Sequence, residues 1–166
     1  ISVPKDTDVI FVNDFFIEDL IGGAELTLES LIKSSNLNIT KVKSSELTME
    51  LLEENQSKYW IFANTRTINY DLIPSIAANI RYAIVCFDYA FCKYGSIEKC
   101  RFIEHHEKEK CCATNELFGK LISTFAYQAE SLWFMSEKQL SVWLEHFPFL
   151  QEKDITILSS VFDEEF

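Results

Sequence analysis

Six side chains able to ligate a metal crowd one stretch of the chain: Cys92, Cys100, His105, His106, Cys111 and Cys112. Their spacing is C-x7-C-x4-H-H-x4-C-C. This departs from the paired C-x2-C knuckles of many zinc sites. Cys92, Cys100, Cys111 and Cys112 are the candidate metal ligands, and three readings stay open. A structural zinc would give order to a segment with little regular pattern. A local disulfide, such as Cys100 with Cys111 or Cys112, fits less well with a cytosolic chain. Free thiols on a loop are the third. Cys86 falls in an apolar run and reads as packing. The acidic and basic residues around His105 and His106 form no H-E-x-x-H and read as a solvated helix or loop.

A second group falls where apolar runs end. Gly22-Gly23 follows the first such run and precedes a helical pattern, and helix N-termini with bare amides bind anions such as phosphate. The pair is neither G-x-G-x-x-G nor a P-loop, so a plain turn is the competing reading. Asn13, Asp14, Asn64, Thr65 and Arg66 also follow apolar runs. They suit sugar or phosphate contacts, or turn chemistry. Asp88 ends the fourth run, where a carboxylate can accept a hydroxyl hydrogen bond, act as a base or cap a turn.

The elements that must hold these residues alternate. Asp8–Asn13 is a continuous apolar run, as expected of a strand buried on both faces. From Ala24, Leu28, Leu31 and Ile32 share a helical face, with Glu25 in the first turn. Strands are predicted at 37–42, 59–62, 82–87, 132–135 and 155–158. Helices are predicted at 49–54, capped by Ser45 or Thr48, at 74–79, at 116–130, and at 137–147 behind Ser136 and before Pro148. Residues 88–115 read as irregular, a length that calls for function or a fastening. Trp133, Phe134, Trp143, Phe147 and Phe149 read as core, and His146 as a surface helix residue. This order predicts an α/β, Rossmann-like doubly wound parallel sheet of about six strands, with helices on both faces. Residues 1–166 form one domain.

The 166 residues carry a formal net charge of −11. That disfavours nucleic acid as a partner, because phosphate backbones need clustered Lys and Arg. No apolar run is long enough for a membrane span, and the opening residues lack signal-peptide pattern. The five cysteines all lie between Cys86 and Cys112. That is not the spread of a secreted disulfide framework, and a cytoplasmic setting is expected.

The segment Val9-Ile-Phe-Val-Asn-Asp-Phe-Phe16, Gly22-Gly-Ala-Glu-Leu26 and Leu31 resembles the opening of retaining, sugar-nucleotide-dependent GT-B glycosyltransferases. Weaker likenesses lie at Phe87-Asp88-Tyr89 and at Ile157-Leu-Ser-Ser-Val-Phe-Asp163. The resemblance implies the N-terminal, acceptor-side half of a two-domain enzyme, with Gly22 and Gly23 lining the cleft and Glu25 holding the helix start. It implies a C-terminal nucleotide-sugar-binding domain as partner, a nucleotide sugar as co-substrate, and a sugar, lipid or protein acceptor. No cofactor is required of this half, which alone should be inactive. Many relatives carry a histidine at the end of the fourth strand. Phe87 stands in its place here, so only the Asp88 position carries over. Two other classes remain: a non-catalytic Rossmann-like binding or regulatory domain, and a nucleotide-dependent oxidoreductase. The absent G-x-G-x-x-G counts against the last.

Overall fold

The computed structural model describes residues 1–104, 111 and 117–158. Six strands form one all-parallel sheet: β1 (Val9–Asn13), β2 (Ile39–Lys43), β3 (Tyr59–Phe62), β4 (Arg81–Cys86), β5 (Ser131–Phe134) and β6 (Asp154–Ile157). The spatial order is β2-β1-β3-β4-β5-β6. Val9 is opposite both Ile39 and Tyr59, so β1 is an inner strand from the start. All five of its residues are buried, which is why its sequence is an uninterrupted apolar run ending in Asn13.

Between the strands lie α1 (Gly23–Ser34), α2 (Met49–Glu54), α3 (Ile73–Asn79), α4 (Ile97–Glu104), α5 (Leu117–Gln128) and α6 (Glu137–His146). Two caps expected from the sequence are made. Thr48 accepts the Leu51 amide at 3.2 Å, and Ser136 accepts that of Gln139 at 3.1 Å. Pro148 does end α6, and it opens a 3-10 turn, Pro148–Glu152. Helix α4 corrects the expectation that the segment after Asp88 is irregular throughout. Ser96 caps it by accepting the Lys99 amide at 3.3 Å. Cys100 is the one buried residue of α4, while Phe102 and Ile103 are exposed, so no apolar stripe announced the helix.

The helices cover the two sheet faces unequally. Ile10, Val12, Trp60, Phe62, Tyr82, Ile84, Leu132 and Phe134 point to one face, where α2 to α6 pack through residues such as Leu51, Ile76, Cys100, Phe125 and Trp143. The alternate residues Val9, Phe11, Ile61 and Val85 meet α1 through Leu28, and no other helix among the described residues joins them. Phe62 sits edge-on to Tyr82 and Phe125, with ring centroids 5.6 and 5.3 Å away. Of the expected aromatic core, Phe134, Trp143 and Phe147 are buried. Trp133 and Phe149 are half-buried. His146 is half-buried too, its ring stacked on Phe91 with centroids 4.6 Å apart.

This core holds two groups that resist ionisation. Burial, with the Asp88 charge behind it, pushes the Cys86 thiol far above its ordinary 9.0. Burial does the same to the Tyr82 phenol, ordinarily at 10.0. Its hydroxyl donates to the Phe125 carbonyl at 2.5 Å. Above those ordinary values the unfolded chain releases protons that the folded chain keeps. The contribution of these two groups to stability should therefore be constant below pH 9.0 and fall above it, first through Cys86 and then, above 10.0, through Tyr82 as well. Each group contributes a loss of about 1.4 kcal/mol per pH unit. Urea unfolding from neutral to strongly alkaline pH checks this. A Cys86→Ala variant should delay the fall to the tyrosine range, and an unchanged onset would rule the thiol out.

Candidate functional site

The strand order reverses direction between β1 and β3, and open parallel sheets bind ligands outside the strand C-termini at such a switch point. Asn13 and Asp14 leave β1 there, and Asn64 and Thr65 leave β3. The structure ties these segments together. The Asn13 Oδ1 accepts the Asn64 amide at 2.8 Å, and its Nδ2 donates to the Phe15 carbonyl. The buried Asp14 carboxylate accepts the Arg66 amide at 3.0 Å, the Thr67 amide at 3.1 Å and the Thr67 hydroxyl at 2.8 Å. It also accepts the Ser44 hydroxyl, from just beyond β2. One carboxylate thus clamps the loops after β1, β2 and β3. Ser44 and Thr67 were not among the sequence candidates. They are polar residues a few positions past strand ends, and only the strand order shows that they meet.

Arg66 links this clamp to the fourth strand. Its guanidinium donates to Asp88 Oδ2 at 3.1 Å and to the Lys93 carbonyl at 3.4 Å. Both partners of the ion pair are 38% exposed, so it contributes at most about 1 kcal/mol and serves more to orient than to stabilise. The Asp88 carbonyl accepts the Trp143 indole N–H at 3.3 Å. Gly95, also missed from the sequence, packs against this pair. Its φ is +65°, and a Cβ there would lie 2.3 Å from an Arg66 guanidinium nitrogen. Gly95→Ala should cost about 1–2 kcal/mol through the left-handed backbone alone. It should also move Arg66 off Asp88, a displacement visible in the Arg66 side-chain NMR signals. Unchanged signals and stability would show that the turn rearranges freely.

Gly22 and Gly23 are engaged by the residues of α1 itself. Leu26 donates its amide to the Gly22 carbonyl at 3.0 Å, and the Thr27 hydroxyl donates to that of Gly23 at 2.9 Å. Gly22 is extended, with φ −135°, a conformation open to any residue. Its hydrogen matters for space instead: a Cβ would come within 2.5 Å of the buried Glu25 carboxylate, which folds back over the helix start. Gly23 meets nothing within 4 Å on its Cβ side, so that approach to α1 is open.

The loop between Asp14 and Gly22 is anchored to β2 by ion pairs. Lys41 Nζ lies 2.8 Å from Glu18 and 2.6 Å from Glu29, and Lys43 Nζ lies 2.6 Å from Asp19. Hydrogen bonds from these lysines lower Glu18 and Asp19 below their ordinary values. Burial pulls Lys41 down, but its bonds to Glu18 and Glu29 outweigh it and the net shift is upward. Phe15, Leu20 and Ile21 stand exposed on the same loop.

Below Asn64, Thr65 and Asp88 lies an apolar cavity lined by Val85, Phe87, Phe125 and Trp143, with free space of about 20 Å³. That is room for about one water, so no ligand of sugar size enters it. Asn64, Thr65 and Asp88 form its polar rim at the strand ends.

A second cluster sits beyond the Asp88 turn. The thiol sulfurs of Cys92, Cys100 and Cys111 all lie within 4.8 Å of one another, and all three residues are buried. Cys112, His105 and His106 fall outside the described residues.

These features define a Rossmann-like α/β domain with a polar switch-point rim. No helix among the described residues is long and apolar enough to cross a membrane. No protein-family model matches the chain, and no curated protein or solved structure matches it significantly.

Proposed function

We propose that the chain is the acceptor-side domain of a glycosyltransferase that moves a sugar from a nucleotide-sugar donor to a hydroxyl acceptor. The observation that carries the reading is Gly22-Gly-Ala-Glu25 at the start of α1, beside the switch point of a parallel sheet, with one side of Gly23 unobstructed. The positive end of the α1 dipole favours an anion such as a diphosphate, in competition with the Glu25 carboxylate at the same helix start. The Glu25 carboxylate folds over that start and holds its shape. The exposed Phe15, Leu20 and Ile21 give the rim an apolar lip, which suits a domain–domain or acceptor contact. Asp88 is the group positioned to accept an acceptor hydroxyl, with Arg66 fixing its orientation. The donor-binding residues would belong to a C-terminal partner domain.

The test uses the natural full-length product with a panel of uridine- and guanosine-diphosphate sugars, reading release of the nucleotide. Donor consumption that Gly23→Leu abolishes, with the 166-residue chain alone inactive, is the expected result. Consumption indifferent to Gly23→Leu, or none with any donor, overturns the reading. A non-catalytic binding domain is the second reading. It is favoured by Phe87 standing where a histidine would be expected and by the engagement of Asp14 and Asp88 in internal bonds. Its signature is ligand-induced NMR shifts at the strand ends with no turnover.

A further inference from the structure

We propose that Cys92, Cys100 and Cys111 bind one Zn²⁺ as thiolates, and that the ion fastens the turn carrying Asp88 to α4. The three residues come from different places in the chain: the turn after β4, the middle of α4, and a position beyond it. Their relative exposures are 0%, 0% and 1%, so the sulfurs converge inside the protein. Tetrahedral zinc holds sulfurs at about 2.3 Å, which places them roughly 3.8 Å apart. Sulfurs already within 4.8 Å need only a small closure to reach that geometry. A disulfide uses two sulfurs and would strand the third; a soft divalent cation uses all three.

Binding is acid–base chemistry without redox change. Each of the three thiols loses its proton to solvent as its sulfur donates a lone pair to the ion, so affinity falls at low pH. The Cys92 thiol now donates weakly to the Ser96 carbonyl at 3.6 Å. Coordination replaces that contact with a stronger bond. The consequence reaches the rim, because Cys92 sits in the same turn as Asp88. The Cys92 amide donates to the Tyr89 carbonyl and its carbonyl accepts the Gly95 amide, each at 2.9 Å. Gly95 in turn supports Arg66 and Asp88. The ion would therefore set the position of the rim carboxylate without touching a ligand.

The experiment is metal analysis of the chain purified without chelator, by plasma mass spectrometry. About one zinc per chain is expected. Cys100→Ser should reduce that content at least about tenfold, since loss even of a partner outside the ligand shell costs about 10–100-fold in metal affinity. Cys86→Ala, which removes a buried thiol outside the cluster, should leave it unchanged. If Cys100→Ser does not fold, X-ray absorption on the wild-type zinc, or on cobalt put in its place, counts the sulfurs directly. Three or more sulfur ligands support the site. Fewer than three, or zinc retained by the Cys100→Ser variant, overturns it. So does a folded chain that stays metal-free after incubation with zinc. Two of these cysteines joined in a disulfide, seen by mass spectrometry of the unreduced digest, overturns it as well.

Discussion

Replacing the buried Asp14 by alanine is expected to cost about 3 kcal/mol, because a donor left without an acceptor costs about 1–3 kcal/mol when buried and less where water reaches it, as at Arg66 and Thr67. Four donors depend on this carboxylate: the amides of Arg66 and Thr67 and the hydroxyls of Thr67 and Ser44. The two hydroxyls can turn elsewhere, since Ser44 also reaches the Asn64 carbonyl at 3.4 Å. The two amides cannot turn, so the expected cost stays below four full penalties. Asp14→Asn keeps the shape but aims an N–H at a donor, and should fall between alanine and wild type. Urea unfolding of the three proteins measures this. For a chain of this length the alanine variant should melt roughly 10 °C lower. A loss under about 1 kcal/mol would mean that water replaces the carboxylate, and the clamp would then be a consequence of the strand order rather than a support for it.

Trp143→Ala is the second change of this size, expected to cost about 3–5 kcal/mol, the usual range for a buried large aromatic. The residue is 2% exposed and packs edge-on to Phe91 and Phe134, at 4.9 and 5.7 Å between centroids. Its indole N–H also holds the Asp88 carbonyl. Trp143→Phe separates these roles. It keeps most of the ring and should cost less, but it loses the hydrogen bond, worth about 1 kcal/mol. It should also shift the NMR signals of Asp88 and Tyr89, whereas a substitution elsewhere in the core, such as Leu132→Val, should not. Equal stability of the phenylalanine and wild-type proteins, with unmoved Asp88 signals, would show that packing alone gives Trp143 its importance.

Much of the fold was legible because individual residues left signals. Val9-Ile-Phe-Val suited an inner strand, and Ser136 and one of Ser45 and Thr48 marked helix starts. The rule that ligand sites follow strand C-termini put Asn13, Asp14, Asn64, Thr65 and Asp88 at the rim. Their bonding was not legible. That Asp14 meets Ser44 and Thr67 depends on β1 lying between β2 and β3, and a sequence of alternating elements leaves that order open. Helix α4 was hidden for a different reason. Its one buried residue is Cys100, which reads as a ligand, and Phe102 faces out at 84% exposure. Gly95 carried no signal because its left-handed turn answers to Arg66, a residue far from it in sequence. The unequal cover of the two faces follows from the crossovers, since only the β1-to-β2 connection runs opposite to the rest.

The inner position of β1 has a consequence for the chain as it is made. It leaves the ribosome before either of its partners, residues 39–43 and 59–62. An all-parallel sheet offers it no hairpin neighbour in the meantime. At about 5–20 residues per second, Val9-Ile-Phe-Val12 stays unpaired for a few seconds while the partners are synthesised. It is the kind of apolar, strand-forming, uncharged segment that self-associates when bare. An inner strand of the finished sheet is thus a hazard of the nascent one, and slower production at low temperature should favour native protein over inclusion bodies.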